Sequence, residues 1–136
     1  MKKDFNYLLN RISLLEPIHE NEDCSECAER AKQFLGMGRI ITFVAYKDGE
    51  YNISEFIAPG SLQNQKWLYH TVLLVSLNNK KYIVDITSDF KVIKYEDYIK
   101  TLKDINKLNF RQYTGAIWNK VIYTLRWNTL PGGKDI

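Results

Sequence analysis

Apolar residues at Phe5, Leu8, Leu9, Ile12 and Leu15 recur at the spacing of one helical face, so a helix is predicted over 4–15, closed by Pro17. Residues 18–22 read as a polar loop. A second face follows in Cys24, Cys27, Ala28, Ala31, Phe34 and Leu35. Asp23 suits its N-cap, Glu26 stands at capping-box spacing, and Gly36 and Gly38 stop it. The period then shortens. Ile40–Tyr46 and Tyr51–Ala58 read as strands around the hairpin signal Lys47-Asp48-Gly49-Glu50. A loop opens at Pro59-Gly60-Ser61 and runs to about Lys66. Leu68–Leu77 and Lys80–Thr87 are two further strands joined at Asn78-Asn79. Tyr95, Tyr98, Ile99, Leu102 and Ile105 mark a third helix, and Asn109–Tyr113 and Trp118–Trp127 read as closing strands. Two helices, antiparallel hairpins, a helix and more strand make an α+β chain. Residues 1–136 read as one domain, with helix and loop over 1–20 and a loose tail over 128–136.

Length and composition agree with one domain. The chain has 136 residues, 45% hydrophobic and 13% aromatic, enough for a sizeable core. The longest largely apolar run, Thr71–Leu77, is too short to cross a bilayer, and the N-terminus lacks the apolar stretch of a signal peptide. No membrane association is expected, and a monomer acting in a cytoplasm is. Residues 1–90 carry a net charge of −2 and residues 91–136 a net of +5, together the +3 of the whole. Lys91, Lys94, Lys100, Lys103 and Lys107 are scattered, which fits a solvated surface better than a nucleic-acid footprint.

Cys24 and Cys27 are the two cysteines. They fall short of a four-ligand zinc site and of a disulfide framework, so no metal or cofactor is expected. Redox chemistry, nucleophilic catalysis or two buried thiols remain. Cys24 stands in the first turn of its helix, where the dipole and free N–H groups favour a thiolate. Asp23, Glu26 and Glu29 oppose that charge, so a cationic partner is needed. Cys27 lies a turn deeper and packs naturally with Ala28 and Ala31.

A two-residue loop at Asn78-Asn79 pairs Leu77 with Lys80, so paired numbers sum to 157 and Val72 faces Asp85. His70 and Asp85 then become diagonal neighbours on one sheet face, roughly 7–8 Å apart at the backbone. The opposite face, Leu73, Val75, Leu77, Tyr82, Val84 and Ile86, is more apolar, and burial on both sides is expected. A carboxylate within Tyr82-Ile83-Val84-Asp85-Ile86 needs a partner. Nucleophile Cys24, base His70 and orienting Asp85 follow the logic of a thiol hydrolase or transferase. Asn21 and the Cys24 N–H are candidate oxyanion donors. His19, in the same loop, reads as exposed. Trp67 and Tyr69 are core or the wall of a cleft, and Trp118 and Trp127 are core or rim.

The order and spacing of these residues resemble the papain-like superfamily, including transglutaminase-like proteins. His70–Thr87 resembles its His-strand and Asp-strand hairpin. Asp23-Cys24-Ser25-Glu26-Cys27-Ala28 resembles the cysteine-bearing helix start of the papain-fold toxin family, C-terminal effector domains of bacterial polymorphic and contact-dependent inhibition toxins. The resemblance covers about residues 22–98. It implies a papain-like domain in which Cys24, His70 and Asp85 process an amide or acyl group through a thioester, as protease, deamidase or transferase. It also implies delivery into a target bacterium and a cognate immunity protein. Where that family often has Asn after the Asp, this chain has Ile86, which leaves substrate preference open. Two rival expectations are an RNA-cleaving toxin, with the basic C-terminal third on phosphates, and a non-catalytic binding module.

Overall fold

The computed structural model describes residues 3–15, 22–47, 53–61, 65–115 and 133–136. Helix α1, Phe5–Ser13, starts on Asp4, whose Oδ1 accepts the Tyr7 N–H at 3.1 Å. Helix α2, Cys24–Leu35, starts on Asp23, whose Oδ1 accepts the Glu26 N–H at 2.8 Å, and ends on Gly36 in the left-handed region. Helix α3, Tyr95–Asn106, closes on Lys107, also left-handed. Helices α1 and α2 carry the apolar faces that their periodicity predicts, and α3 does so through Tyr95, Tyr98, Ile99 and Leu102, whereas Ile105, expected on the same face, is exposed.

The strands are β1 (Arg39–Tyr46), β2 (Ile53–Ser54), β3 (Phe56–Ile57), β4 (Lys66–Trp67), β5 (His70–Leu77), β6 (Lys80–Asp85), β7 (Lys91–Lys94), β8 (Asn109–Thr114) and β9 (Lys134–Asp135). The main sheet runs β7-β6-β5-β1-β8-β9, with β2 also on β1 and every pairing antiparallel. The β5–β6 register is the expected one: Leu73 faces Val84 and Leu77 faces Lys80. Asn78 and Asn79 hold φ of 52° and 66°, the two positive values that a tight two-residue hairpin requires.

Helices cover the sheet on both faces. Leu8 and Ile12 of α1 and Ala28, Ala31 and Leu35 of α2 pack on Leu73, Val75, Tyr82, Val84 and Ile86. Tyr98 and Leu102 of α3 pack on the other side, against Ile41, Phe43, Val72, Leu74 and Ile83. The fold is therefore α+β, three helices on an antiparallel sheet, and among the described residues no helix is long and apolar enough to cross a membrane.

Several elements depart from expectation. The strand expected over Tyr51–Ala58 breaks at Glu55: β2 pairs with β1, whereas β3 pairs with β4 in a separate two-stranded sheet. Asn106 holds β3 in place, accepting the Ile57 N–H at 2.7 Å and donating to its carbonyl at 2.9 Å. The strand expected from Leu68 starts at His70, and the one expected to reach Thr87 stops at Asp85. Strand β7 is new, a sheet edge that the charged ends of Lys91–Lys94 disguise. The end of the expected loose tail is partly ordered: Lys134 and Asp135 pair with Gln112 and Arg111. The expected strand Trp118–Trp127 lies outside the described residues.

Candidate active site

Asp85 is the last residue of β6 and is 4% exposed. Its Oδ1 accepts the Thr87 N–H at 3.0 Å and the Thr87 hydroxyl at 2.6 Å. Its Oδ2 lies 2.6 Å from His70 Nε2. Burial pushes the carboxyl up, but His70 and the two Thr87 donors outweigh it and hold it below the ordinary carboxylate value. The backbone is fixed as well. The Ser88 N–H and hydroxyl both donate to the Asp85 carbonyl, at 3.1 and 2.6 Å.

His70 is 1% exposed and opens β5, facing Phe43 of β1. The β5–β6 ladder begins only at Leu73–Val84, so the imidazole stands beyond its last rung. Trp67 lies against the ring, with centroids 5.8 Å apart. Burial alone would pull the imidazole down. The charge and hydrogen bond of Asp85, and then Cys24, raise it instead to about 10. Because Nε2 is given to Asp85, Nδ1 is the nitrogen left for chemistry. It has no aligned hydrogen-bond partner among the described residues.

Cys24, first residue of α2, stands next to that ring. Burial raises its thiol. The His70 hydrogen bond and charge, together with the N–H and hydroxyl of Thr71, outweigh burial and bring it below the usual 9.0. Bonds to the sulfur are commonly loose in a free site and tighten around substrate. The meeting depends on the strand end. Thr71 points to the α2 face, where Ser25 bonds it, whereas His70 belongs with Val72 and Leu74 on the α3 face; the Cys24 sulfur meets both.

Cys27 has a different environment. Its thiol donates to Glu22 Oε1 at 3.3 Å, and Arg30 grips both Glu22 oxygens at 2.8 Å. Burial first, and then the Glu22 hydrogen bond and charge, push it up to about 12. A thiol held neutral in this way packs the helix and is a poor nucleophile. Of the two cysteines it is Cys24, the one expected from its place in the first helical turn, that stands beside His70, which Asp85 holds.

Tyr69 is also near the sulfur. Burial, then the charges of Cys24 and Asp23, raise its phenol. Asn21, the expected oxyanion donor, and His19 lie outside the described residues. At the start of α2, Asp23 takes the N–H groups of Glu26 and Cys27, and those of Cys24, the other expected donor, and of Ser25 have no partner within the helix.

Sequence reasoning missed three neighbours. Thr87 had a usable signal, since an Asp followed two residues later by a hydroxyl residue suits a local side-chain turn. Thr71 and Tyr98 had none. Tyr98 reaches the site from α3, stacked on Phe43 at 5.3 Å. Its hydroxyl is fully buried without a partner among the described residues. Burial, then the charges of Asp85 and Cys24, hold the phenol well above its ordinary value. Among the described residues no three His, Cys, Asp or Glu side chains gather as metal ligands. No family model, no curated protein and no solved structure matches this chain.

Proposed function

We propose that the protein is a cysteine hydrolase or acyltransferase that works through a Cys24–His70–Asp85 triad. The observation that carries this reading is the buried 2.6 Å bond between Asp85 Oδ2 and His70 Nε2, which fixes the ring and leaves Nδ1, without an aligned partner among the described residues, as the nitrogen for Cys24. A carboxylate buried in a strand is costly unless paired, and here its partner is an imidazole that borders the thiol held below its ordinary pKa.

The chemistry follows from that arrangement. Nδ1 takes the Cys24 proton, giving a thiolate beside an imidazolium that Asp85 stabilises. The sulfur attacks an amide or ester carbonyl, forming a C–S bond while the carbonyl electrons move to oxygen. The N–H groups of Cys24 and Ser25 are placed to receive that oxyanion. Collapse breaks the carbonyl–leaving group bond, and the Nδ1 proton leaves with the amine or alcohol. Water or an amine, deprotonated by Nδ1, then attacks the thioester and restores the thiol. A papain-like relationship and a role as a bacterial toxin held by an immunity protein belong to the same proposal, on the motif Asp23–Ala28.

An acyl probe tests the triad without knowledge of the substrate. With p-nitrophenyl acetate, intact-mass analysis is expected to show one acetyl group, mapped to Cys24. Cys24→Ala and His70→Ala should lose the adduct, whereas Cys27→Ala keeps it. An acetyl group on Cys27, or acetylation that survives His70→Ala, would overturn the reading.

A further inference from the structure

Behind Cys24 lies a chain of buried hydroxyls. Ser25 Oγ is 3.5 Å from Thr71 Oγ1, Thr71 Oγ1 is 2.9 Å from Thr42 Oγ1, and Thr42 Oγ1 is 2.7 Å from the Gly115 carbonyl. Thr42 and Thr71 are at most 1% exposed, and Ser25 is 7% exposed. Counting protons gives this chain a direction. A carbonyl only accepts, so the single Thr42 proton goes to Gly115. Thr42 can therefore only accept from Thr71, and the single Thr71 proton is spent on Thr42. Thr71 Oγ1 is then an acceptor toward Ser25 and toward the Cys24 thiol.

The direction must change when the sulfur ionises. A buried thiolate needs donors, and Thr71, whose Oγ1 lies 3.5 Å from the hydroxyl of Ser25 next to Cys24, has its N–H and its hydroxyl on the sulfur's side. The hydroxyl can serve the sulfur only by leaving Thr42. That loss is small for Thr42, whose own proton stays on Gly115. We propose that Thr71 is a positioning residue whose hydroxyl proton points to Thr42 while Cys24 is a thiol and turns to the sulfur when it becomes a thiolate. Thr42 therefore competes with Cys24 for one proton. This rests on the reading of Cys24 as the nucleophile and assigns the control of its charge. Among the described residues the other charged or titratable groups on this side are His70 and Tyr69 from β5 and its approach, Asp23 at the α2 start and Tyr98 from α3, with Asp85 of β6 behind His70. Substitution at Thr42 or Thr71 replaces none of them.

The test is the pH dependence of iodoacetamide alkylation at Cys24, read by mass spectrometry in the whole chain. Thr71→Val removes a thiolate donor and should move the midpoint up by about one pH unit, the size of one hydrogen bond to a charged group. Thr42→Val removes the competitor and should move it down. Thr71→Ser and Thr42→Ser, which keep the hydroxyls, should restore the wild-type midpoint and also guard against misfolding of the valine variants. Shifts of the same sign, or none, would overturn the proposal, because a merely structural cluster has no reason to give opposite signs. A wild-type midpoint at or above the ordinary 9.0 would count against Cys24 as the poised nucleophile instead, and the two threonine shifts would still be readable.

Discussion

Asp85 stands among the buried apolar residues Ile83, Val84 and Ile86, a setting in which an unpaired carboxylate would be protonated or destabilising. It remains charged because His70 and Thr87 together occupy both of its oxygens. The two partners shift in opposite directions, and each shift implies a pH window. Asp85 is lowered from 3.8, so its contribution to stability is present above that value and is lost as pH falls through its lower folded value. His70 is raised from 6.5 to about 10, so its contribution is complete below 6.5 and is lost as pH rises to about 10. In a Cys24→Ala background, which removes the sulfur's own titration, urea unfolding should show stability falling across that alkaline window. Adding Asp85→Asn should flatten the fall. A fall of unchanged depth would mean that something other than Asp85 holds the imidazolium.

Turns connect that residue pair to the elements around it. The segment after Asp85 is held by the loop that contains Gly60: the Asp89 N–H donates to the Gly60 carbonyl at 3.0 Å, and Ser61 bridges Ser88. Gly60 adopts φ +71°, and a Cβ there would lie 2.5 Å from the Phe90 ring. Gly36, at the end of α2, has a similar φ of +69° but open space around it. Gly36→Ala should therefore cost only the left-handed penalty, about 1 kcal/mol. Gly60→Ala should cost about 3 kcal/mol, because overpacking adds to the same strain. Chemical denaturation of the two variants measures the difference; equal losses would show that the Phe90 contact gives way freely. Much of this scale was legible in sequence. Asp23 and Gly36 bracket α2 because caps are local chemistry, and Asn78-Asn79 fixed the 157 register because a two-residue turn allows no slip. The break at Glu55 was not legible, since β3 is held by β4 and by Asn106, 49 residues beyond Ile57 on α3.

At the scale of the molecule, the sheet brings together residues far apart in sequence. Strand β1 lies between β5 and β8, so the Cys24 region reaches Gly115 through Thr71 and Thr42. The far end of the sheet is closed by β9. The Ile136 N–H bonds the Phe110 carbonyl at 3.2 Å, and its side chain packs on the α3-face core. Removing residues 134–136 should lower the unfolding free energy by about 1–2 kcal/mol, for one half-buried aliphatic and its backbone bonds. Asp135→Ala should leave the thermal midpoint unchanged, because its bridge to Arg111 is solvent-exposed. A larger effect from Asp135→Ala than from the deletion would contradict this account of the edge.

The sequence by itself determined the helices, the β5–β6 hairpin and its register, and the placing of His70 and Asp85 on one face. Each follows from spacing within a few residues, where periodicity, caps and turn geometry act. The sequence favoured Cys24 from its first-turn position, but only the tertiary structure set the two thiols apart in charge, with Glu22 against Cys27 and His70 and Thr71 against Cys24. It also decided that α2 and α3 cover opposite faces, and that the ladder ends soon enough for a sulfur from one face to meet an imidazole from the other. Charge and burial at one atom depend on everything folded around it, and no local pattern carries that information.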